Sequence, residues 1–267
     1  MADADALRPT ALVTGASGGI GLELARLFAR DGHGLVLVAR RGDRLEALAA
    51  ELRAAHGVPA RALAADLADP TAPARIHAEI AAAGGRVDVL VNNAGFGLRG
   101  DFAALDEAEQ MAMLQVNVLA LVRLTRRFLP AMVERRAGGV LNVASTAAFQ
   151  PGPRMAVYYA SKAFVLSFSE ALWSELAGTG VAVTALCPGP TATGFQSRAG
   201  LERSRLFRDL RVMDAAAVAR AGYRGFRAGR RVVIPGPANR VGAALARLAP
   251  GGLVLRLVRA LNSQADE

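Results

Sequence analysis

Short apolar runs alternate along this chain with longer stretches in which apolar residues recur every three or four positions. The apolar runs are Ala11–Thr14, Leu35–Ala39, Ala60–Ala64, Val87–Val91, Val140–Ala144 and Val181–Leu186, with a weaker one at Arg231–Ile234, all of strand length. The stretches between them, at Ile20–Arg30, Arg44–Ala55, Pro73–Ala83, Glu107–Glu134, Val157–Ala177 and Asp214–Arg227, have helical spacing. Runs such as VDVLV and VAVTAL do not alternate with polar residues, as expected of strands buried on both faces. The pattern predicts an α/β fold: a Rossmann-type doubly wound parallel sheet of about seven strands with helices on both faces. No composition break or linker divides the first 190 residues, so residues 1–267 read as one domain.

Two segments leave the rhythm. Residues 194–212, rich in Gly, Ser and Arg, fall between a strand and a helix, where a substrate lid belongs. Phe96, Gly97, Gln150 and the stretch from Phe195 to Val212 are expected to shape the substrate pocket. The tail, 238–267, has apolar residues at helical spacing with arginines between them, interrupted at Pro250-Gly251-Gly252. It reads as a surface helix pair packed on the body or on another subunit, with contact to a membrane surface as the sharper alternative.

Composition narrows the partners. With 52% hydrophobic residues in 267, the chain supports a substantial core. The N-terminus is acidic and lacks an apolar signal segment, and no uninterrupted apolar run reaches the ~18 residues of a spanning helix. One cysteine, Cys187, fits a reducing compartment and a buried, non-catalytic role. A cytoplasmic protein is expected. The net charge of +9 raises nucleic acid as a partner, but the arginines are scattered and aromatics are only 5%, which leaves few stacking platforms. No nucleic-acid partner is expected. Lys162 is the only lysine, so a site there that needs a compact ammonium is indicated.

TGASGGIG, Thr14–Gly21, follows the first strand and opens the first helix, where glycines admit a pyrophosphate and free N–H groups receive it. Gly15, Ser17, Gly18, Gly19, Ile20 and Gly21 are the expected contacts. Because Gly18 and Gly19 are adjacent, the loop fits both TGxxxGxG and TGxxGxxG. The second strand ends in LVLVAR, with Ala39 about where NAD-preferring folds carry an acid, followed by Arg40 and Arg41. Two guanidiniums suit a 2′-phosphate, so NADP(H) is expected over NAD(H). In VYYASKA, Tyr158 and Lys162 lie four apart on one helix face. A nearby ammonium lowers a phenol's pKa and fits it for proton exchange. Tyr159 is the competing candidate. Ser145 ends the fifth strand, where its hydroxyl could donate to a substrate oxygen.

Together, TGASGGIG, NNAG at Asn92–Gly95, Asn117 in LQVNVLA, Ser145 in NVAS, the Tyr158–Lys162 pair and the PG at Pro188–Gly189 resemble the short-chain dehydrogenases/reductases over roughly residues 8–195. The resemblance implies a tetrad of Asn117, Ser145, Tyr158 and Lys162. Tyr158 would be the acid/base and Ser145 the substrate-oxygen partner. Lys162 would tune the tyrosine and hold the nicotinamide ribose, and Asn117 would hold a relay water. It further implies cofactor contacts at Asp66 and Leu67, at Asn93, Ala94 and Gly95, and at Pro188, Gly189, Thr191 and Thr193. It selects the compact branch that uses TGxxxGxG. The partners it implies are a small carbonyl or alcohol substrate and a second copy, as a homodimer or homotetramer built on the Glu107–Glu134 and Val157–Ala177 helices.

The expected activity is hydride exchange between NADP(H) and a carbonyl or secondary alcohol carbon of a medium-sized, partly hydrophobic substrate. The alternative is a non-catalytic NADP(H)-binding sensor or scaffold. Serine hydrolysis fails on inventory, since His33, His56 and His77 all fall in the first third of the chain, and no metal-ligand spacing occurs.

Overall fold

In the computed structural model, which describes residues 8–201 and 212–263, the chain alternates strand and helix through its first 186 residues. β1 (Thr10–Thr14), α1 (Gly19–Arg30), β2 (Gly34–Ala39), α2 (Gly42–His56), β3 (Ala60–Ala64), α3 (Ala72–Ala82) and β4 (Val89–Asn92) form the first half. The second half continues with α4 (Glu107–Leu114), a π-helical turn (Gln115–Ala120), α5 (Leu121–Glu134), β5 (Gly138–Val143), α6 (Ala156–Glu175) and β6 (Val181–Leu186). After a short ribbon of β7 (Thr191–Ala192) and β8 (Met213–Asp214), with α7 (Phe195–Ala199) between them, come α8 (Ala215–Arg227), β9 (Val232–Val233), α9 (Pro237–Leu248) and α10 (Gly251–Asn262). Seven strands make one parallel sheet in the order β3-β2-β1-β4-β5-β6-β9. Predicted strand and helix positions agree with these elements to within two residues.

The two-residue period of the strands sorts the core into two layers. Ala11, Val13, Leu35 and Leu37 face one side, where they meet Leu24 and Phe28 of α1, Leu48 of α2 and Phe226 of α8. Leu12, Val36, Val38 and Leu90 face the other and meet Ile76 of α3 and Leu124, Phe128 and Met132 of α5. Both faces are covered, so the strands carry no polar face, which explains their unbroken apolar runs. One polar seam crosses this second layer. Asn92 donates to Asn142 Oδ1 at 2.9 Å and to Thr125 Oγ1 at 3.1 Å, and Asn142 donates to Ser169 Oγ at 2.9 Å. It locks β4 and β5 to the helices α5 and α6.

The chain reverses direction across the sheet between β1 and β4, and the crevice beyond the strand ends there is where open α/β sheets bind ligands. The predicted single helix over Glu107–Glu134 is continuous but carries the π turn, centred on Asn117. The tail forms the expected helix pair, broken at Pro250, but it does not simply cap the surface. Val254 and Val258 are buried against Met155, Tyr158 and Tyr159. The predicted 194–212 lid is described only through Leu201 and at residue 212; its remaining ten positions lie outside the described residues. Among the described residues no helix is long and apolar enough to cross a membrane.

Candidate active site

The first strand delivers the chain into a glycine turn. Gly15 and Gly19 hold φ of +66° and +57°, left-handed values that favour glycine. Gly21 has ordinary backbone, but a Cβ there would collide with the Asn93 amide and the Gly15 carbonyl. Gly18 is extended, and the nearest atom to a Cβ there would be Arg41 Nη2 at 3.9 Å. The three positions that need glycine are therefore those of TGxxxGxG, and the fold resolves the spacing that the loop sequence leaves open. The turn is clamped from β4. Thr14 Oγ1 accepts from the N–H groups of Asn93 and Ala94, both at 3.0 Å, and Asn93 Nδ2 donates to Thr14 O at 2.9 Å. α1 opens on Gly18 with no side-chain cap and no acid in its first turn, which leaves its positive end to an anion.

At the far end of β2, Arg41 Nη2 donates to Ser17 Oγ at 3.2 Å and so already leans on the turn. Arg40 is exposed beside it, and among the described residues it has no hydrogen-bond or ion-pair partner. Asp66 accepts from Ala68 N at 2.9 Å, and Leu67 is buried behind it.

The candidate catalytic groups stand past the ends of β5 and β6. Ser145 opens a 3₁₀ turn (Thr146–Phe149), accepting from Ala147 N at 3.1 Å and donating to Pro188 O at 3.4 Å. Tyr158 and Lys162, one turn apart on α6, are both buried, and the Tyr158 and Ser145 hydroxyls share a hydrogen bond. Lys162 Nζ donates to Val143 O at 2.9 Å and stands 5.9 Å from the Tyr158 ring centroid. Burial pushes the phenol well above its ordinary value, opposed by the Ser145 hydrogen bond, and it pushes Lys162 down to about 8. The lowering of Tyr158 by Lys162 expected from the sequence is not met in the bare protein, where burial dominates. Tyr159 lies 6.0 Å from Tyr158 ring to ring, but its hydroxyl donates to Asn262 Oδ1 at 3.3 Å. That bond engages the competitor elsewhere and leaves Tyr158 as the tyrosine joined to Ser145.

A continuous cleft of about 1330 Å³ joins these parts, and it is lined by Gly15, Ser17–Ile20, Arg40, Arg41, Asp66, Leu67, Asn93–Gly95, Ser145, Tyr158, Lys162, Pro188, Gly189, Thr191 and Thr193. Gly21 and Asn117 do not line it. Gly21 lies under the turn. Asn117, 1% exposed, accepts from Phe96 N at 3.1 Å and donates to Phe96 O at 2.9 Å and Ser161 Oγ at 3.0 Å. Its side chain fixes the Gly95–Phe96 loop from behind. A Cβ at Gly95 would sit 3.0 Å from Asn117 Oδ1 and 3.3 Å from Lys162 Nζ, so a side chain there would crowd both. Phe195, expected to shape the pocket, lines it with its ring 5.2 Å from that of Tyr158, whereas sequence reasoning missed Met155 and the lining from α9 and α10. Cys187 is fully buried after β6, its thiol pushed up to about 12 by burial.

Comparison with known proteins agrees with this geometry. The family model described as short chain dehydrogenase matches residues 9–203. A short chain dehydrogenase of Pseudocercospora fijiensis is 41% identical over 184 residues, covering 67% of this chain and 59% of that protein. The chain thus spans about three fifths of that curated relative's length. Among solved structures, a short-chain dehydrogenase from Sphingobium yanoikuyae in complex with NADPH superposes with a TM-score of 0.81 at 38% identity, over 88% of this chain and 92% of that one. The bulky-bulky ketone specific alcohol dehydrogenase from Comamonas testosteroni does so with a TM-score of 0.76 at 32% identity, over 92% and 93%. The chain belongs to the short-chain dehydrogenase family.

Proposed function

We propose that this protein is an NADP(H)-dependent carbonyl reductase or alcohol dehydrogenase in which Tyr158 exchanges the proton. The observation that carries the reading is the Ser145–Tyr158 hydroxyl pair, with Lys162 one helical turn away, at one end of a cleft whose other end is the uncapped glycine turn.

The residues present fit a phosphorylated dinucleotide. Glycine at 15 and 19, where φ is left-handed, keeps the cleft side of the turn bare, and among the described residues Arg40 has no hydrogen-bond or ion-pair partner beside it. Gly15, Ser17, Gly18, Gly19 and Ile20 would hold the pyrophosphate, with Arg40 and Arg41 at the 2′-phosphate. Asp66 and Leu67 would hold the adenine side, Asn93–Gly95 the cleft wall, and Pro188, Gly189, Thr191 and Thr193 the nicotinamide side. When bound, the cofactor supplies or accepts the hydride at the substrate carbon.

In the reducing direction, Ser145 Oγ–H and Tyr158 O–H donate to the substrate oxygen and polarise its carbonyl. As negative charge builds on that oxygen, Tyr158 passes it a proton, and an alcohol results. A phenol that burial keeps protonated is suited to this acid role. Lys162 uses one of its three donors on Val143 O, which leaves two for a ribose hydroxyl and for supplying charge beneath the phenolate that forms. Asn117 holds the Phe96 loop, and with it the relay side of Lys162. Assembly as a homodimer or homotetramer is supported by Met111, Leu119, Phe164 and Trp173, all exposed on α4, the π turn and α6.

NADPH consumption against a panel of ketones and aldehydes tests the reading. Turnover of at least one hydrophobic carbonyl compound is expected. NADPH binding without turnover across the panel would instead favour a sensor or scaffold.

A further inference from the structure

Beyond Tyr158 the cleft continues between α9 and α10, where Leu245, Leu253, Leu257 and Leu261 line it. Three of these stand open: Leu245 is 59% exposed, Leu253 61% and Leu257 60%. α10 carries two stripes one position apart. Val254, Val258 and Asn262 recur every four residues and are buried, and Leu253 and Leu257 follow the same step but stand exposed, with all four apolar residues lining the cleft. Asn262 pins this arrangement. Its Nδ2 donates to Pro153 O at 3.0 Å, its Oδ1 accepts from Tyr159, and its backbone oxygen accepts from Arg99 Nε at 2.6 Å. Because Tyr159 adjoins Tyr158, the end of α10 and the reacting hydroxyl share one framework.

The open leucines are thus fixed at the wall of the reaction cavity and are continuous with it. Met155, Tyr158 and Phe195 carry the apolar lining inward to the reacting groups. Among the described residues, the charges at this end of the cleft are Arg198 and Glu109, and they are paired with each other at 2.7 Å, the guanidinium stacked 4.9 Å from the Phe96 ring centroid. Among the described residues no uncompensated cation is left at this end of the cleft.

We infer that the substrate is an elongated carbonyl compound with an apolar body, its carbonyl at Ser145 and Tyr158 and its hydrocarbon chain running out along the Leu253–Leu257 stripe. This rests on the reading of the Tyr158 site as a carbonyl-reducing one, and it assigns α10 as the specificity-determining element with Asn262 as its positioning residue.

Steady-state NADPH consumption over straight-chain methyl ketones of increasing length tests it, alongside calorimetric binding of unreactive n-alkyl amides to the NADP-loaded enzyme. In both, affinity or kcat/KM is expected to rise roughly three- to fourfold per added methylene until the chain clears Leu257. Leu257→Asp is expected to flatten that slope, and Val241→Asp, exposed on α9 outside the cleft, to leave it unchanged. Turnover with no dependence on chain length, or a slope that Leu257→Asp does not alter, would overturn the groove and leave the reductase reading standing. Amide binding that climbs with length while no ketone is reduced would contradict the reductase reading instead. If light scattering finds that Leu257→Asp dissociates an oligomer with the slope intact, the stripe belongs to a subunit interface and the inference fails.

Discussion

Burying the chain's one lysine one helical turn from Tyr158 gives the protein a distinct pH dependence. Lys162 falls from its ordinary 10.5 to about 8 because burial penalises its charge. Between those values the unfolded chain binds more protons than the folded one, so stability rises with pH through the window. Below about 8 the folded protein carries the full cost of the buried ammonium. Lys162→Met removes this dependence. The difference in cofactor-free unfolding free energy, variant minus wild type, is expected to shrink by on the order of 3 kcal/mol between neutral pH and about pH 10.5. Urea denaturation across that range measures it, and a pH-independent difference would contradict the assignment. Taking the difference cancels Tyr158 and Tyr159, which burial raises and which act in the opposite sense above about pH 10.

Among the elements, the phosphate turn discriminates between glycines that look alike in sequence. Gly21→Ala would drive a Cβ into the Asn93 amide and the Gly15 carbonyl, whereas Gly18→Ala makes only an ordinary contact with Arg41 at 3.9 Å. NADPH is therefore expected to bind roughly 10- to 100-fold more weakly to Gly21→Ala, the range that overpacking by one methyl implies, with little change for Gly18→Ala. Equal losses in both variants, read by fluorescence titration, would overturn this account of the turn. The strands, the turn and the Tyr158–Lys162 pair were legible because each is local: a run of apolar residues, a glycine spacing, a four-residue step. The π turn was partly signalled, since Asn117 is a polar residue in an apolar helix and π insertions gather at functional sites. The work of α10 was not, because it depends on Asn262 meeting Tyr159 across 103 residues, a contact no local pattern encodes. The β7–β8 ribbon, two residues on each side, is too short to show a period.

For the whole molecule, the sheet brings strand ends far apart in sequence to one crevice, and ligand binding there stabilises the fold by mass action. At concentrations near 100 times its dissociation constant, NADPH is expected to add about 2.7 kcal/mol to the unfolding free energy. Equal NADH is expected to add less. Arg40→Asp should remove that margin, and if calorimetric scans show the same NADPH and NADH shifts in wild type and variant, the arginine pair does not read the 2′-phosphate. Net charge does not predict this behaviour. On the proposed reading, the charges the cofactor would meet are the two arginines beside the turn, whatever the net +9.

The central claim is that Tyr158 is the proton-exchanging group, and a single-turnover measurement on Tyr158→Phe with saturating NADPH and a hydrophobic ketone tests it most directly. The rate of NADPH oxidation is expected to fall by roughly 10²- to 10⁴-fold while the NADPH dissociation constant stays within about threefold of wild type. A variant that oxidises NADPH at the wild-type rate would contradict the account.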